Sequence, residues 1–571
     1  MTIWMVKRMH KRRQVIGTGL LIAALLLGIA PLSDRMELGA QENRTAEEVY
    51  EPLLNLHHQI VSEKVQEGIS VGGLIELEDA WAIEDTREES WEPLVTAMLN
   101  HEDVLGFDYA ENTFYCTLGM ETGENWPEIA LKARNVPEGL EIRMVDDYTY
   151  DWCSDAIREG YRYEMLAYTD TQYNYFGIVF TGLPIVSIAV DDPASLGDEY
   201  VPARAAVSAA GHEAIDHTAM IHLRGGGFDE FKVDKKSYRL EFHEIDSSGK
   251  DRKKSISALG MEPDTDWLLI GNGSDPTCVR NQLAWILWNR WNPEEDVHGL
   301  LHSELVEVFV NHEYKGLYQL MQRYDIEEEI EKSQGNLHTD FVYRVITEHN
   351  IDAQRPAYQG SGLNIELRYK PEHVSVDRAF EHVKQYAKMH GNISDEEFAG
   401  LVEAYIDIES LMSYYLFHQA ADLSGDNVWN NLYIWAAREE DGGYTLRLSP
   451  WDMDLAFTTR GWEEAQQEQA YLQMPIARRI LDMDLADSRE ILWRIWREKR
   501  STILTDDAVY TWFMDLEEYV NRSGAALRNS LRWYGEAKPL DLAQMMSNET
   551  THMSKVEHHM LGLWPLEGMV Q

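Results

Sequence analysis

The sequence predicts an α+β fold, and three observations predict it. Strand-like runs bounded by Gly, Pro, Asn and Asp fill the first half of the chain. Two later pairs of such runs are joined by short turn segments, as in hairpins. From residue 470 onward the apolar spacing is helical. The resulting order is strands, helix, hairpin, helices, hairpin, helices. It fits α+β better than a doubly wound parallel sheet, which would alternate strand and helix throughout.

In chain order, "MTIWMVKRMHKRRQ" carries Lys7, Arg8, Lys11, Arg12 and Arg13 and no acid, and the 16-residue run "VIGTGLLIAALLLGIA" follows without a charge. That is the pattern of a signal peptide or an uncleaved anchor, with the basic flank inside and the remaining chain facing outward. Residues 1–44 are therefore read as this segment and a connector, and the bulk of the chain as extracytoplasmic, secreted or membrane-anchored. Residues 45–182 read as a β-rich accessory domain: "NTFYCTLGM" and "NYFGIVFTG" are strands with Pro and Gly turns between them.

Residues 183–571 form the second unit, with a helical C-terminal part. It opens on the strand "LPIVSIAVDD", followed by "AMIHLRG" and "KKSYRLEF". Strand alternation puts Lys236, Tyr238, Leu240 and Phe242 on one face, so Lys236 is expected on the apolar side. "SDPTCVRNQLAWILWNRW" reads as a helix with Asp275 as N-cap and Pro276 in the first helical position. "ELVEVFVNHEYKGLYQLMQRYD" is a hairpin turning between Asn311 and Gly316. "DIESLMSYYLFHQAAD" is a helix, and "NLYIWAA", "DGG" and "YTLRLS" form a second hairpin. Asp264 and Asp266 read as a solvated turn. His552, His558 and His559 read as the surface of a helix.

The 571 residues are ample for more than one domain, and their 98 acidic against 51 basic side chains give a formal net charge of −47. That surface repels phosphate backbones and argues against nucleic-acid binding. A basic protein partner or bound divalent cations suit it, or the charge serves solubility alone. The three cysteines, Cys116, Cys153 and Cys278, contain no CxxC pair, which excludes a zinc ribbon and leaves at most a Cys116–Cys153 bridge.

The chemistry concentrates in "LSPWDMDLAF" and in the segment just before the second hairpin. If 451–454 is extended, Asp452 and Asp454 face one space, and two close carboxylates repel unless a cation or proton lies between them. Metal binding, acid/base work and turn decoration all remain open at that spacing. Upstream, Asn431 stands five residues after Asp426, the D-x-x-x-x-N spacing of protein-kinase catalytic loops. "LRGGGF" supplies Gly225 and Gly226 after a strand, where backbone N–H groups can approach phosphates, and Lys236 follows on the next strand. Arg280, in the first turn of its helix, serves a phosphate contact or a structural salt bridge equally well.

In that order, "LPIVSIAV", "IHLRGGGFDEFKVDKKSYRLEF", "WLLIGNGSDPTCVRNQLA", "VEVFVNHEYKGLYQL", "GDNVWNNLYIW" and "LSPWDMDLAF" resemble the CotH kinase family, atypical protein kinases named for a spore-coat protein. The blocks cover roughly residues 183 to 460. The resemblance implies an atypical protein-kinase-like fold and ATP-dependent phosphorylation of Ser/Thr hydroxyls on a surface or coat protein, with Mg²⁺ or Mn²⁺. It makes Asp426 the catalytic aspartate and Asp452 the main metal ligand, assisted by Asn431 and Asp454. Lys236 and Arg280 become phosphate contacts.

Two departures stand out. Relatives usually show Arg-Gly-Asn-Ser/Thr where this chain has Arg224-Gly-Gly-Gly227, and often Glu where it has Gln322. A non-catalytic coat-assembly or cell-surface protein retaining the fold is the competing reading. A carboxylate-based hydrolase is a weaker third.

Overall fold

Seven strands close into a barrel. They are β6 (Ile185–Val190), β7 (Val201–Ser208), β8 (Ile215–Leu223), β9 (Tyr238–Ile245), β10 (Asp266–Ile270), β11 (Ser303–Val310) and β12 (Glu313–Gln322), counted after the accessory strands introduced below. The order runs β8-β7-β6-β11-β12-β10-β9, and the pairing of β9 back onto β8 closes the ring. A ring of seven cannot alternate direction at every neighbour. The parallel pair β6–β11 takes up that mismatch, and the other six pairs are antiparallel. Alternate residues point inward and fill the barrel: Val186 and Ile188, Ala203 and Ala205, Leu240 and Phe242, Trp267 and Leu269 all belong to its apolar core. Closure removes the free edges that a sheet of aliphatic strands would otherwise expose.

The hairpin of β11 and β12 turns on Asn311 and His312, both with positive φ (50° and 60°), the two-residue turn that matches strand twist. Register shifts after Val308, so that Val308 opposes Gly316 and Phe309 opposes Tyr314. At Gly316 a Cβ would lie 2.5 Å from Asn529 Oδ1, so glycine is what lets a later helix approach this strand.

The computed structural model describes residues 46–65, 67–120, 126, 128–145, 150, 152–224, 234–292, 301–323, 326–333, 335–346, 355–423, 431–457 and 474–566. Asp426, Gly225 and Gly226 lie outside them, as do the apolar run 15–30 and its basic flank. Among the described residues no helix is long and apolar enough to cross a membrane.

Ahead of the barrel, the accessory region is β-rich. Its larger sheet holds β1 (Gly106–Asp108), β2 (Thr113–Thr117), β3 (Glu141–Met144), β4 (Arg162–Tyr168) and β5 (Gln172–Thr181), around Phe114, Tyr163, Phe176 and Phe180. Beyond the barrel, a five-stranded sheet contains β13 (Phe341–Ile346), β14 (Ala357–Gly360), β15 (Leu363–Tyr369), β16 (Leu432–Arg438) and β17 (Tyr444–Pro450), in the order β14-β15-β13-β16-β17. Helix α1 (Arg280–Trp291) and α2 (Ile408–Ala420) share its apolar core with the C-terminal helices α3 (Ser488–Ser501), α4 (Asp506–Arg522), α5 (Ala525–Tyr534) and α6 (Ala543–Leu563). The chain is thus a mixed α+β protein, and Val49–Gln571 cluster as one compact unit.

Several local expectations are corrected. Helix α1 starts at Arg280, not beside Asp275, because Cys278 takes a left-handed φ of 59° and interrupts the turn. The Asp275 carboxylate still accepts from the backbone N–H groups of Thr277 and Arg280, so it caps the helix from a distance. All three cysteines are free, buried thiols, so no Cys116–Cys153 bridge forms. Asp266 is not a solvated turn residue. It opens β10 and accepts from both Nε and Nη2 of Arg239, and from Arg323. His552 is buried rather than on the helix surface, its Nε2 2.8 Å from the Gln419 carbonyl.

Candidate functional site

The site grows from one end of the hairpin β16–β17. Leu432 pairs with Pro450, and the ladder extends one step further, where the Trp451 N–H donates to the Asn431 carbonyl at 2.9 Å. Asn431 and Trp451–Asp452 therefore lie side by side, although 21 positions separate Asn431 from Asp452. The chain does not continue extended. Asp452 adopts φ 59°, a left-handed conformation that Asp tolerates better than most residues, and a turn follows. The premise that 451–454 is a strand, which placed Asp452 and Asp454 on one side by alternation, does not hold. A turn sets their directions instead.

That turn is anchored at its middle and its end. The Met453 side chain is buried and its N–H donates to Asn281 Oδ1 at 3.2 Å, while the Phe457 N–H donates to the Ala421 carbonyl at the end of α2. Asp452 is exposed and Asp454 half-buried, with the Ser274 hydroxyl 3.3 Å from Asp454 Oδ2. Two carboxylates and an amide flank an accessible turn, a hard oxygen donor set of the kind Mg²⁺ and Mn²⁺ prefer. Among the described residues no group of three His, Cys, Asp or Glu side chains is placed to hold a metal.

The barrel rim reaches this turn. Arg224, the residue before the triple glycine, donates its backbone N–H to the Ser237 carbonyl, and its guanidinium carbon lies 5.7 Å from the centre of the Trp451 ring. Trp451 also meets the ring of Tyr433 edge-on at 5.9 Å. Arg280 sits at the start of α1, partly engaged, with Nε 3.5 Å from Asp275 Oδ1. Gln322 donates to the Glu262 carbonyl.

Lys236 does not take the apolar position that alternation assigns it. Strand β9 begins only at Tyr238, so the period of two does not reach back to 236. Lys236 is half-exposed, and its carbonyl accepts from the Tyr318 hydroxyl at 2.8 Å. Its neighbour Lys235 is the buried lysine. The Lys235 ammonium donates to the Leu317 carbonyl at 2.6 Å and to Asn529 Oδ1 at 3.0 Å, and lies 3.3 Å from Cys278 Sγ. Burial pulls its pKa below the ordinary lysine value, and Cys278 opposes that shift.

Behind the site, Asp422 lies just past the end of α2, and His552 Nδ1 of α6 is 3.7 Å from its carboxylate. Glu549, one turn earlier on α6, is buried. Burial pushes its pKa well above the usual carboxylate value, and the Asp422 charge adds to the rise.

The structure thus brings Asn431, Asp452, Asp454, Arg224, Ser274 and the start of α1 into one neighbourhood. Sequence reasoning had not singled out Ser274, Asn281 or the Arg224–Trp451 stack. Asn281 carried a faint signal: a poor helix former amid the apolar residues of α1, next to Arg280.

This is an α+β protein whose barrel rim and hairpin end share a polar site. A family model described as CotH kinase protein matches residues 221–559, more than half of the chain, and the chain belongs to that family. The match begins at the last residues of β8 and runs into α6, so the accessory sheet and the first two barrel strands precede it. No curated protein matches the chain.

Proposed function

We propose that the protein is a metal-dependent phosphotransferase of kinase-like fold, moving the γ-phosphoryl group of ATP to Ser/Thr hydroxyls of a surface or coat protein. Family membership across the ordered site blocks carries this reading. The juxtaposition of Asn431 with the Asp452–Asp454 turn supports it. Asp452, Asp454 and Asn431 would hold the divalent ion, which supplies charge neutralisation at the phosphates. Asp426 would accept the proton of the acceptor hydroxyl at its carboxylate. Lys236, Arg280 and the backbone of Gly225 and Gly226 would steady the phosphates from the barrel side. On this reading 183–571 is the catalytic unit, 45–182 an accessory one, and 1–44 the exported or membrane-held end.

The experiment is transfer of labelled phosphate from ATP to a Ser/Thr-containing acceptor by the full chain, with Mg²⁺ or Mn²⁺. Transfer that disappears in Asp426→Ala and Asp452→Ala supports the assigned roles. Transfer that persists undiminished in both sinks them. The engagement of Arg280 by Asp275 and the altered glycine segment favour a second reading, a non-catalytic coat-assembly protein. Metal-dependent ATP binding measured by calorimetry counts against it.

A further inference from the structure

The turn bearing Asp452 and Asp454 is tied to the barrel by a continuous chain of buried amide hydrogen bonds, and we propose that Asn281, at the end of that chain, is a positioning residue for the acidic pair. This inference rests on the metal-binding reading above. Asn281 Oδ1 accepts the Met453 N–H at 3.2 Å, and its Nδ2 donates to Gln319 Oε1 at 2.7 Å. Gln319 Nε2 donates to Ser303 Oγ at 2.9 Å, and that hydroxyl donates to Gln282 Oε1 at 2.8 Å. Gln282 Nε2 closes the chain on the Ser303 carbonyl at 3.2 Å. Asn281 is 4% exposed, Gln282 8% and Gln319 0%.

One obligate donor orients every member. The Met453 N–H can only donate, so the Asn281 oxygen must face it. That turns the Asn281 nitrogen to Gln319, the Gln319 oxygen to Asn281, and the Gln319 nitrogen to Ser303. Ser303 and Gln319 stand on the two strands of the barrel hairpin, so the chain sets the acidic turn in register with the barrel.

The turn needs such a hold. A left-handed non-glycine residue is strained and persists only where its surroundings over-determine it. Met453 lies between the two aspartates, and fixing its N–H and its buried side chain fixes the peptides on which both carboxylates sit. Removing Asn281 leaves a buried N–H without its acceptor, and the turn relaxes to find another.

The test uses Mn²⁺ alone, titrated against the full chain and followed by electron paramagnetic resonance, with circular dichroism to check folding. Asn281→Leu is expected to weaken Mn²⁺ binding about ten- to a hundredfold while the protein stays folded, the range typical of residues that orient metal ligands. The wild type is the reference, because Asn281→Asp would bury a carboxylate without a cation. Gln319→Leu, one link away, should fall between. A purely structural role would lower the unfolding midpoint without changing Mn²⁺ affinity of the folded protein. Tight Mn²⁺ binding by the wild type and equally tight binding by Asn281→Leu overturns the inference alone. If that variant does not fold, wild-type affinity in Gln319→Leu overturns it instead. Absence of Mn²⁺ binding by the wild type overturns the metal-site reading and this inference with it.

Discussion

Two glutamates are almost equally inaccessible, Glu307 at 0% and Glu549 at 3%, and the fold treats them oppositely. Glu307 points outward from barrel strand β11 into the junction with the accessory sheet and α5. There Arg528 donates to both its oxygens, at 2.8 and 2.7 Å, and the Tyr314 hydroxyl donates to Oε1. Arg528 also reaches the Thr181 hydroxyl of β5, so one ion pair joins the accessory sheet, the barrel and the C-terminal helices. Glu549 lies behind the candidate site near Asp422 and is held towards its neutral form. The difference teaches how the molecule divides labour. The barrel interior is apolar, and Glu307 on its outer face is locked into structure by Arg528 and Tyr314. The five-stranded sheet keeps one face apolar, with Leu432, Ile434 and Leu448 beside Phe341 and Tyr343. The other face carries Tyr433, Arg344 and Ser449, and Asn431 lies one residue before its strand, beside the acidic turn.

The hardest way to break this comparison is at the junction. Arg528→Met leaves a buried carboxylate without its cation, and removing one partner of a buried pair costs about 3–5 kcal/mol. Urea unfolding of the full chain should show a loss of that size. Replacing Glu307 by Leu in the same chain should recover most of it, because no charge is then stranded. A loss below about 1 kcal/mol in Arg528→Met would mean that the junction is not a principal support.

The acidic turn should respond in the opposite sense. Asp452→Asn keeps a residue that tolerates positive φ and removes an exposed charge, so stability should change by no more than about 0.5 kcal/mol. Phosphotransfer, if the proposed function holds, should fall about a hundredfold or more, as when a preorganised electrostatic contact to the transferring group is lost. Measured side by side, Arg528→Met should be costly to the fold and Asp452→Asn costly to the chemistry. A smaller effect is expected at the rim. Arg224→Ala removes the stack on Trp451, and about 0.5–1 kcal/mol should disappear from the unfolding free energy.

Much of this was legible in the sequence because it is local. Strand-like runs bounded by Gly, Pro, Asn and Asp located β2, β5, β6, β8 and β9, and the Asn311–Gly316 stretch pointed to a hairpin, although its turn is only Asn311–His312 and Gly316 belongs to β12. Barrel closure was not legible, since the pairing of β9 with both β8 and β10 is a property of the assembled ring and leaves the strand pattern unchanged. The Lys235/Lys236 inversion was missed because alternation was carried two residues past the true strand start. Asp266 was misread because its two arginine partners stand 27 and 57 positions away in the sequence and meet it only when the neighbouring strands pair. The Asn281 link was hidden for the same reason: Met453 stands 172 positions away.

The comparison of the two glutamates is sharpened most finely by pH. Glu549 has a folded-state pKa raised above 4.5, through burial first and the Asp422 charge second, with Arg500 opposing. Above pH 4.5 and up to that raised value, the native state holds a proton that the unfolded state has released. Stability must therefore fall as pH rises through this window, and be regained as pH is lowered through it. Glu549→Gln keeps the shape, removes the titration and should flatten that portion of the profile. It should also raise the unfolding midpoint at neutral pH, where the wild type must either hold a proton against the solvent or bury a charge beside Asp422. Glu307→Gln offers the contrast: it strips a carboxylate from its guanidinium and should lower the midpoint at the same pH. Midpoints of the three chains followed from pH 4.5 to neutrality decide the matter. If Glu549→Gln and Glu307→Gln shift in the same direction at neutral pH, the two buried acids are not handled oppositely and the division of labour drawn from them is wrong.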